Sequence, residues 1–480
     1  MSKFLSACAL LFALPALAQD VVVLLPDFPY HWDQTGLYNE GILEEYGTQY
    51  GDNPCAGCVA ISGASILEWF GLPEAFGEGS GFVDKERPLR TERLDWDRLG
   101  PALRPLDARG RRTAQTALYN LGVLVGMGYR DFPAASTASP SSLAKALIHE
   151  SVGYASAYFV NLEGASDEAT FEAAVWASLR CGSPVGLNIQ GASAHAVPAL
   201  GCRIAADGTK ETLVAIGMQQ TAPFWRALPN IGYNGYDTVP SVITGIVPRR
   251  PEGIAAGHYA MPILGTVVDA RGDPVPLAAV TLTKDDGTPL GRTATDLKGR
   301  FGIWGWLGYA MNLACDGAAP IRLPARPNSL VNTYTGGVPR MAIGDLRALV
   351  RDNTVTLTVA GEDAQPVIHA DLASATAAAA GSRILCLNSE SPDLKASFRR
   401  VEGLTLLYAD PRLDAPFPEI DARPDATFFL LDADGDVIAY SLAKDEAGLR
   451  AFLAAPAAPE PLTLAGEATL TEACNGRDVV

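Results

Sequence analysis

The 480-residue chain has little of what usually points to a nucleic-acid, membrane or metal protein. No run of Lys or Arg stands out, and 54 acidic residues against 37 basic ones give a net charge of −17. Beyond residue 18 the sequence contains no run of about 18 apolar residues, the length needed to cross a bilayer. The charge argues against nucleic acid and anionic membrane as partners. We therefore expect no nucleic-acid binding and no membrane insertion.

Histidine is also scarce, with five in the whole chain. Those at 31, 149, 258 and 369 are scattered, with no metal-ligand spacing. The segment 432–436, Asp-Ala-Asp-Gly-Asp, lacks the downstream glutamate of a calcium loop. We expect neither a metal nor another cofactor.

The first 18 residues have the pattern of a cleaved secretory signal. Lys3 precedes a short apolar core at 4–14, and Ala16-Leu17-Ala18 forms a small-x-small cleavage site before Gln19. We expect a bacterial protein that is secreted or periplasmic.

Seven cysteines follow the predicted signal, at positions 55, 58, 181, 202, 315, 386 and 474. An odd number in an oxidising compartment indicates a free thiol or an intermolecular bridge. If one thiol is kept for chemistry, up to three disulfides can form, and the sequence leaves their connectivity open.

Length and composition predict two to four domains in an ordinary folded protein, with 48% hydrophobic and 19% charged residues. The first, at 19–251, mixes both kinds of secondary structure. Apolar spacing predicts helices in it over 62–70, 113–125, 141–148 and 171–180. A strand at 183–189 and a hairpin formed by 196–204 and 212–218 follow.

The pattern of residue types changes after Pro251. Over 260–369, short β-branched runs alternate with Gly, Asp and Pro turns, which predicts a small β-sandwich followed by a connector. This segment resembles carboxypeptidase-regulatory-like and bacterial Ig-like modules, with Gly265, Asp296, Gly299 and Phe301 at the expected places. The resemblance implies a spacer or docking unit.

A small α/β domain is predicted at 380–456, after the alanine-rich stretch 370–380. Strands are expected at 383–387 and 404–408, a hairpin at 426–438 and a closing helix at 446–454. The order faintly resembles the second half of a thioredoxin-like domain. Asn-Ser-Glu-Ser occupies 388–391, roughly where that family has its Cys-x-x-Cys, so we expect no redox role. Residues 457–480 form a tail.

Four segments of the first domain each carry a side chain suited to one step of amide hydrolysis by a thiol. That reaction needs a nucleophile, a base, a group that orients the base and a donor for the oxyanion. The candidates, in chain order, are Gln34, Cys58, His195 and Asn230.

Cys58 is predicted to open the helix that runs to position 70. Unpaired N–H groups and the positive end of the helix dipole should favour the thiolate and lower the pKa of Cys58. Gly57 allows a tight turn and leaves room for a substrate backbone. The alternative is that Cys55 and Cys58 form a redox pair or simply pack in the core.

The other three candidates have similar alternatives. His195 lies among small residues that leave space around a base, but it would also suit a core hairpin. Asn230 can accept the imidazole N–H or simply form a turn. Gln34 can point an amide N–H at an oxyanion or be an exposed polar residue.

Together these segments resemble the streptopain-type cysteine peptidases of the papain-like clan. Residues 32–39 match W-x-Q-x-x-P-Y-N, with Leu37 in place of the proline. Residues 57–60 match the start of G-C-V-A-T-A, and 230–235 stand where the family has N-W-G-W-G-G. The segments 122–129, 153–154 and 176–185 fall between them in the family's order.

The resemblance implies an α+β chain with a papain-like fold and an endopeptidase acting on proteins or peptides. Cys58 would be the nucleophile, His195 the base and Asn230 the group that orients it. Gln34 and the backbone N–H of Cys58 would form the oxyanion hole. The resemblance also implies that Cys55 is a structural cysteine, paired with Cys181 or Cys202.

Three departures from the family pattern stand out. Ile231 and Tyr233 replace the tryptophans that shield the Asn–His pair. His195 and Asn230 are 35 positions apart (230 − 195), which predicts an extended hairpin. Only 15 positions separate Gln19 from Gln34 (34 − 19), too few for the family's inhibitory propeptide.

Two alternatives to the peptidase remain. A secreted binding or adhesion protein could retain the scaffold without activity, docking through its C-terminal modules. Peptide-bond transfer would use the same residues as hydrolysis.

Overall fold

A computed structural model describes most of the chain up to residue 360 and five short strands beyond it. The described residues are 20–25, 32–82, 86–99, 106–205, 207–217, 221–233, 235–275, 278–296, 298–334, 336–360, 368–369, 383–388, 404–409, 428–431 and 437–441. The predicted signal at 1–18, the connector 370–380, the closing helix 446–454 and the tail 457–480 lie outside them.

Seven α-helices occur among these residues. They are α1 (Glu40–Tyr46), α2 (Cys58–Phe70), α3 (Ala108–Val125), α4 (Ser142–Ile148), α5 (Glu168–Phe171), α6 (Ala177–Arg180) and α7 (Ile343–Asp352). A π-helical turn, Glu172–Trp176, joins α5 to α6. The four predicted helices are confirmed as α2, α3, α4 and the continuous α5–α6 segment.

Strands make up most of the remaining regular structure. In chain order they are β1 (Asp20–Leu24), β2 (Ser80–Phe82), β3 (Glu86–Pro88), β4 (Ser156–Asn161), β5 (Val185–Gln190), β6 (Ala194–Ile204), β7 (Lys210–Val214), β8 (Phe224–Arg226), β9 (Thr238–Val247), β10 (Ala260–Val268), β11 (Ala279–Lys284), β12 (Pro289–Ala294), β13 (Arg300–Trp306), β14 (Met311–Cys315), β15 (Ile321–Leu323), β16 (Val331–Tyr334), β17 (Val338–Met341), β18 (Thr354–Thr358), β19 (Ile368–His369), β20 (Arg383–Asn388), β21 (Leu404–Ala409), β22 (Phe428–Leu431) and β23 (Val437–Ser441). Helices and sheets together confirm a mixed α and β chain.

Helix α2 is the centre of the helical side of the molecule. Every side chain from Val59 to Leu67 is buried, so the helix is covered on all sides rather than on one face. It packs with α3 and α4 in one hydrophobic core, which Trp32 and Tyr38 join from the N-terminal segment. Gly71 ends the helix in the left-handed conformation (φ 61°, ψ 28°), as the sequence predicts.

The largest sheet has the order β16-β17-β4-β9-β5-β6-β7-β8, and β1 pairs with β6. Strands β6 and β7 form the predicted antiparallel hairpin. In the β5–β6 pair, His195 lies opposite Ile189 and Ala196 lies opposite Asn188. Because side chains alternate along a strand, these two pairs face opposite sides of the sheet.

Strands β16 and β17 lie in a place that the sequence does not predict. They form an antiparallel hairpin, and Arg340 of β17 pairs in parallel with Phe159 of β4. The sequence assigns residues 331–341 to the β-sandwich segment, but here they extend the sheet of the N-terminal segment. The hairpin covers what would otherwise be an exposed sheet edge.

Two further sheets, β13-β10-β18 and β12-β11-β14-β15, follow in the 260–360 region. Both contribute to one buried cluster, for example through Ile303 and Val280. That cluster is continuous with the core of the largest sheet. Arg180 at the end of α6 also donates to the carbonyl oxygens of Gly265 and Phe301, at 3.4 and 3.3 Å.

The last sheet has the order β19-β21-β20-β22-β23. Strands β20 and β21 are parallel, and β22 and β23 form the hairpin predicted near residue 430. Within the described part of the chain, no helix is both long and apolar enough to cross a membrane.

Candidate active site

Cys58 is the first residue of α2, as predicted, and its side chain is partly exposed. Gly57 places it there with a backbone conformation (φ 90°, ψ 130°) that L-residues rarely adopt. A Cβ at Gly57 would lie 2.5 Å from the sulfur and the terminal methyl of Met127. The backbone turn therefore favours glycine before the cysteine, while the end of the flexible Met127 side chain could shift to admit a Cβ.

The Cys58 sulfur joins the start of α2 to strand β6. The backbone N–H groups of Ala196, of Val59 and of Cys58 itself lie near enough to the sulfur to favour its thiolate form. Ala196 directly follows His195 in the chain. The fold thus brings the cysteine segment and the histidine segment into contact.

Burial raises the pKa of the Cys58 thiol, and the backbone N–H groups of Ala196 and Val59 lower it by less. The predicted lowering of this pKa is therefore wrong for this structure. A helix N-terminus stabilises a thiolate only as far as its field exceeds the cost of removing the charge from water. Here the neighbouring helix and sheet take away most of that water.

His195 is buried, with 5% of its surface exposed. Its Nε2 lies 2.7 Å from the carbonyl oxygen of Ile216. A carbonyl oxygen only accepts, so Nε2 carries the proton and Nδ1 has a free lone pair. Burial lowers the pKa of the imidazole, opposed by the Ile216 carbonyl. The Tyr236 ring stacks on it, with 6.0 Å between ring centroids.

Cys58 and His195 are not hydrogen-bonded to each other in the described structure, although their segments touch. With the pKa of the thiol raised and that of the imidazole lowered, both groups are neutral at neutral pH. The arrangement is a neutral thiol near a neutral imidazole rather than an ion pair.

Ile216, whose carbonyl holds the ring, was not a candidate from the sequence. It follows β7, and Gly217 after it has a positive φ of 63°. A Cβ at Gly217 would lie 2.9 Å from Cγ2 of Ile61 in α2. The carbonyl is thus fixed between the hairpin and α2. A main-chain acceptor leaves no signal in residue type, and the nearest clue is the glycine after a hydrophobic strand.

Asn230 does not orient His195 in this structure. Its side chain is exposed, and its Oδ1 accepts a hydrogen bond of 2.7 Å from the Gly232 N–H. The next residue, Ile231, is fully buried in the core of the sheet. Burial of Ile231 turns the Asn230 side chain outward, and the predicted Asn230–His195 pair is not formed.

Gln34 lies beside Gly57, the residue that precedes Cys58. Its Oε1 accepts a hydrogen bond of 3.0 Å from the Gly57 N–H, and its backbone carbonyl accepts one of 2.8 Å from the Ala56 N–H. Because Oε1 is held by Gly57, the two N–H groups of Nε2 are left for another acceptor. No described residue accepts from them.

Cys55, Cys58 and Cys181 carry free thiols. Neither the predicted bridge from Cys55 to Cys181 or Cys202 nor the alternative Cys55–Cys58 bridge is formed. The loop of Arg130 and Ser136 holds the Cys55 backbone on the helical side of the molecule. Cys202 lies in the core of the sheet, so the two thiols belong to different cores.

No cluster of three or more His, Cys, Asp or Glu side chains suited to a metal ion occurs in the described ranges.

Residues 32–237 match the Peptidase C10 family. The matched segment contains all four candidate residues. The resemblance to the streptopain family is thus confirmed over this segment. No curated protein sequence matches the chain.

Two similar solved structures come from Prevotella intermedia. A prointerpain A fragment is 17% identical over 48% of this chain and 73% of its own, with a TM-score of 0.40. The active wild-type interpain A cysteine protease is 18% identical over 47% of this chain and 93% of its own, with a TM-score of 0.39. TM-scores of 0.40 and 0.39 do not establish a shared fold, so the papain-like fold stays a prediction.

The raised pKa of Cys58 predicts the pH dependence of its alkylation. The thiolate is the reactive form, so the rate of iodoacetamide labelling should climb through pH 9.0, the ordinary pKa of the group. The labelling rate is measured by mass spectrometry of the peptide that contains Cys58. The urea-unfolded protein is the control, and its labelling rate should rise at a lower pH. A rate that stays level from about pH 5 to 8 would show a thiolate–imidazolium pair and contradict the prediction.

Proposed function

We propose that this chain, whose residues 32–237 match the Peptidase C10 family, is an exported cysteine peptidase with Cys58 as nucleophile and His195 as base. The observation that carries the proposal is the approach of the Ala196 N–H, next to His195, to the Cys58 sulfur. It supports a reaction that needs sulfur and imidazole at one cleft.

The reaction begins with a neutral pair. The thiol proton of Cys58 passes to Nδ1 of His195 while the sulfur bonds to the carbonyl carbon of the substrate. The carbonyl π electrons move onto oxygen, and the imidazolium then gives its proton to the leaving amine as the C–N bond breaks. Water, deprotonated by His195, cleaves the resulting thioester and restores the thiol.

The developing oxyanion requires donors beside the sulfur. The Nε2 of Gln34 and the backbone N–H of Cys58 are the groups suited to that role. The Gly57 N–H fixes the Gln34 amide in advance, so little reorganisation is needed when charge forms.

We further propose that Ile216, rather than Asn230, orients the base. Its carbonyl accepts the Nε2 proton, which keeps Nδ1 free to receive the proton from sulfur. A neutral acceptor also suits an imidazole that is buried and uncharged at rest.

Removal of the Cys58 sulfur tests the peptidase directly. Cys58→Ala should abolish hydrolysis of a fluorogenic peptide library, because no other group can form the thioester. Cys55→Ala removes a free thiol three residues away and should keep the activity. Hydrolysis that survives in Cys58→Ala would rule out Cys58 as the nucleophile, and absence of hydrolysis by the reduced wild type would favour the binding-protein alternative. Product analysis with added amine separates hydrolysis from transfer.

The two amide side chains should differ sharply in their contribution. Gln34→Ala should lower kcat by about 100- to 1000-fold, the usual cost of an oxyanion donor. Asn230→Ala should change it by less than about threefold, since loss of a surface turn contact has little effect. Steady-state kinetics on one peptide measure both. A large loss in Asn230→Ala would restore Asn230 as the orienting group.

A further inference from the structure

We propose that a polar cavity lined by Asn188 of β5 and Arg340 of β17 binds an acidic side chain of the substrate and that Arg340 recognises its carboxylate. This inference rests on the proposed function and adds a substrate class to it. The cavity has a volume of about 260 Å³. The polar residues that matter for the argument are Ser141, Asn161, Glu163, Asn188, Gln190 and Arg340.

One wall of the cavity lies on β5, the strand that pairs with β6 near Cys58. Asn188 on this wall pairs across the sheet with Ala196, whose N–H approaches the Cys58 sulfur. A small apolar cavity lined by Val59, Ala196, Asn188 and Ser241 adjoins it and shares the last two residues with it. The polar cavity therefore begins at β5, the strand next to the one whose backbone approaches Cys58.

Arg340 enters this cavity from β17. Its guanidinium lies over the rings of Phe159 and Tyr334, with its central carbon 5.0 and 5.3 Å from the ring centroids. Stacking on ring faces leaves the in-plane N–H groups free. The Nε atom is buried, and among the described residues it has no acceptor. No described carboxylate forms an ion pair with Arg340.

A free planar cation in a recess suits a carboxylate, because the guanidinium can donate two parallel hydrogen bonds to it. Asn188 adds polarity to the wall: its Nδ2 donates to Ser241 Oγ at 3.3 Å, and its Oδ1 is buried without a partner. Glu163 is the one opposing charge among the lining residues, and it is exposed. Its effect is screened by water more than that of Arg340.

Arg340 lies outside the segment that matches the Peptidase C10 family. The strand that carries it is inserted into the sheet of that segment by the chain beyond residue 330. The C-terminal half of the chain thus contributes a specificity determinant to a site built by the N-terminal half.

Matched peptides test the inference. Peptides that differ by a single Glu, Gln or Leu at each of the four positions before the scissile bond are compared by kcat/KM. At one position the wild type should prefer Glu over Gln by about 10- to 100-fold, the range for a hydrogen-bonded charge pair. Arg340→Gln should lose this preference while still cutting the Gln peptide at a similar rate. Glu163→Gln, the matched control, should increase the preference.

A wild type without any Glu preference, or an Arg340→Gln variant that keeps it, would overturn the inference. Hydrolysis of the Gln peptide by Arg340→Gln shows that the variant is folded. Arg340→Lys keeps the charge without the planar fork and should give an intermediate preference.

Binding separates this inference from the proposed function. In the Cys58→Ala background, fluorescence anisotropy of a labelled Glu peptide against its Gln counterpart needs no catalysis. Tighter binding of the Glu peptide that disappears on adding Arg340→Gln supports the cavity even if the wild type cuts nothing. Equal binding of the two peptides by Cys58→Ala contradicts the cavity even if the wild type is an active peptidase.

Discussion

The approach of the Ala196 N–H to the Cys58 sulfur brings helix α2 and strand β6 together in the segment that matches the Peptidase C10 family. Cys58 starts a helix that is buried on every side, and Ala196 lies in the middle of the largest sheet. Neither element can move without disturbing a packed core, so the sulfur and the histidine strand are held at a fixed separation.

Burial at this contact also sets the electrostatics of the site. The same packing that fixes the sulfur raises the pKa of Cys58 and lowers that of His195. Charge is therefore disfavoured at rest and develops only as the proton moves from sulfur to imidazole. Donors such as the Gln34 amide are most effective in a site of this kind, because little water competes with them.

Local patterns in the sequence predicted the elements that carry the nucleophile. The apolar run before Gly71 fixed α2, and alternating residues around a turn predicted the β6–β7 hairpin. Gln34 was singled out by a family motif that precedes the cysteine, and it contacts the Ala56–Gly57 backbone, while its role in an oxyanion hole stays a prediction. These features depend on residues close together in the chain or on a known motif.

Predictions that required the balance of tertiary contacts were wrong or missing. The Cys58 pKa depends on how much water the sheet removes, which the helix start alone does not reveal. Asn230 has the residue type of an orienting group, but burial of Ile231 turns it outward. The carbonyl of Ile216 has no signature in residue type, and the pairing of β17 with β4 joins segments about 180 residues apart.

The central claim is that the sulfur of Cys58 and Nδ1 of His195 reach the same reacting atom. A three-carbon bifunctional alkylating reagent, 1,3-dibromoacetone, measures this directly, since it can bridge the two groups only if they lie within its span. The account predicts one major cross-linked species in which peptide mass mapping joins Cys58 to His195. Alkylation of Cys58 with His195 left unmodified, under native conditions and in the absence of denaturant, would contradict it.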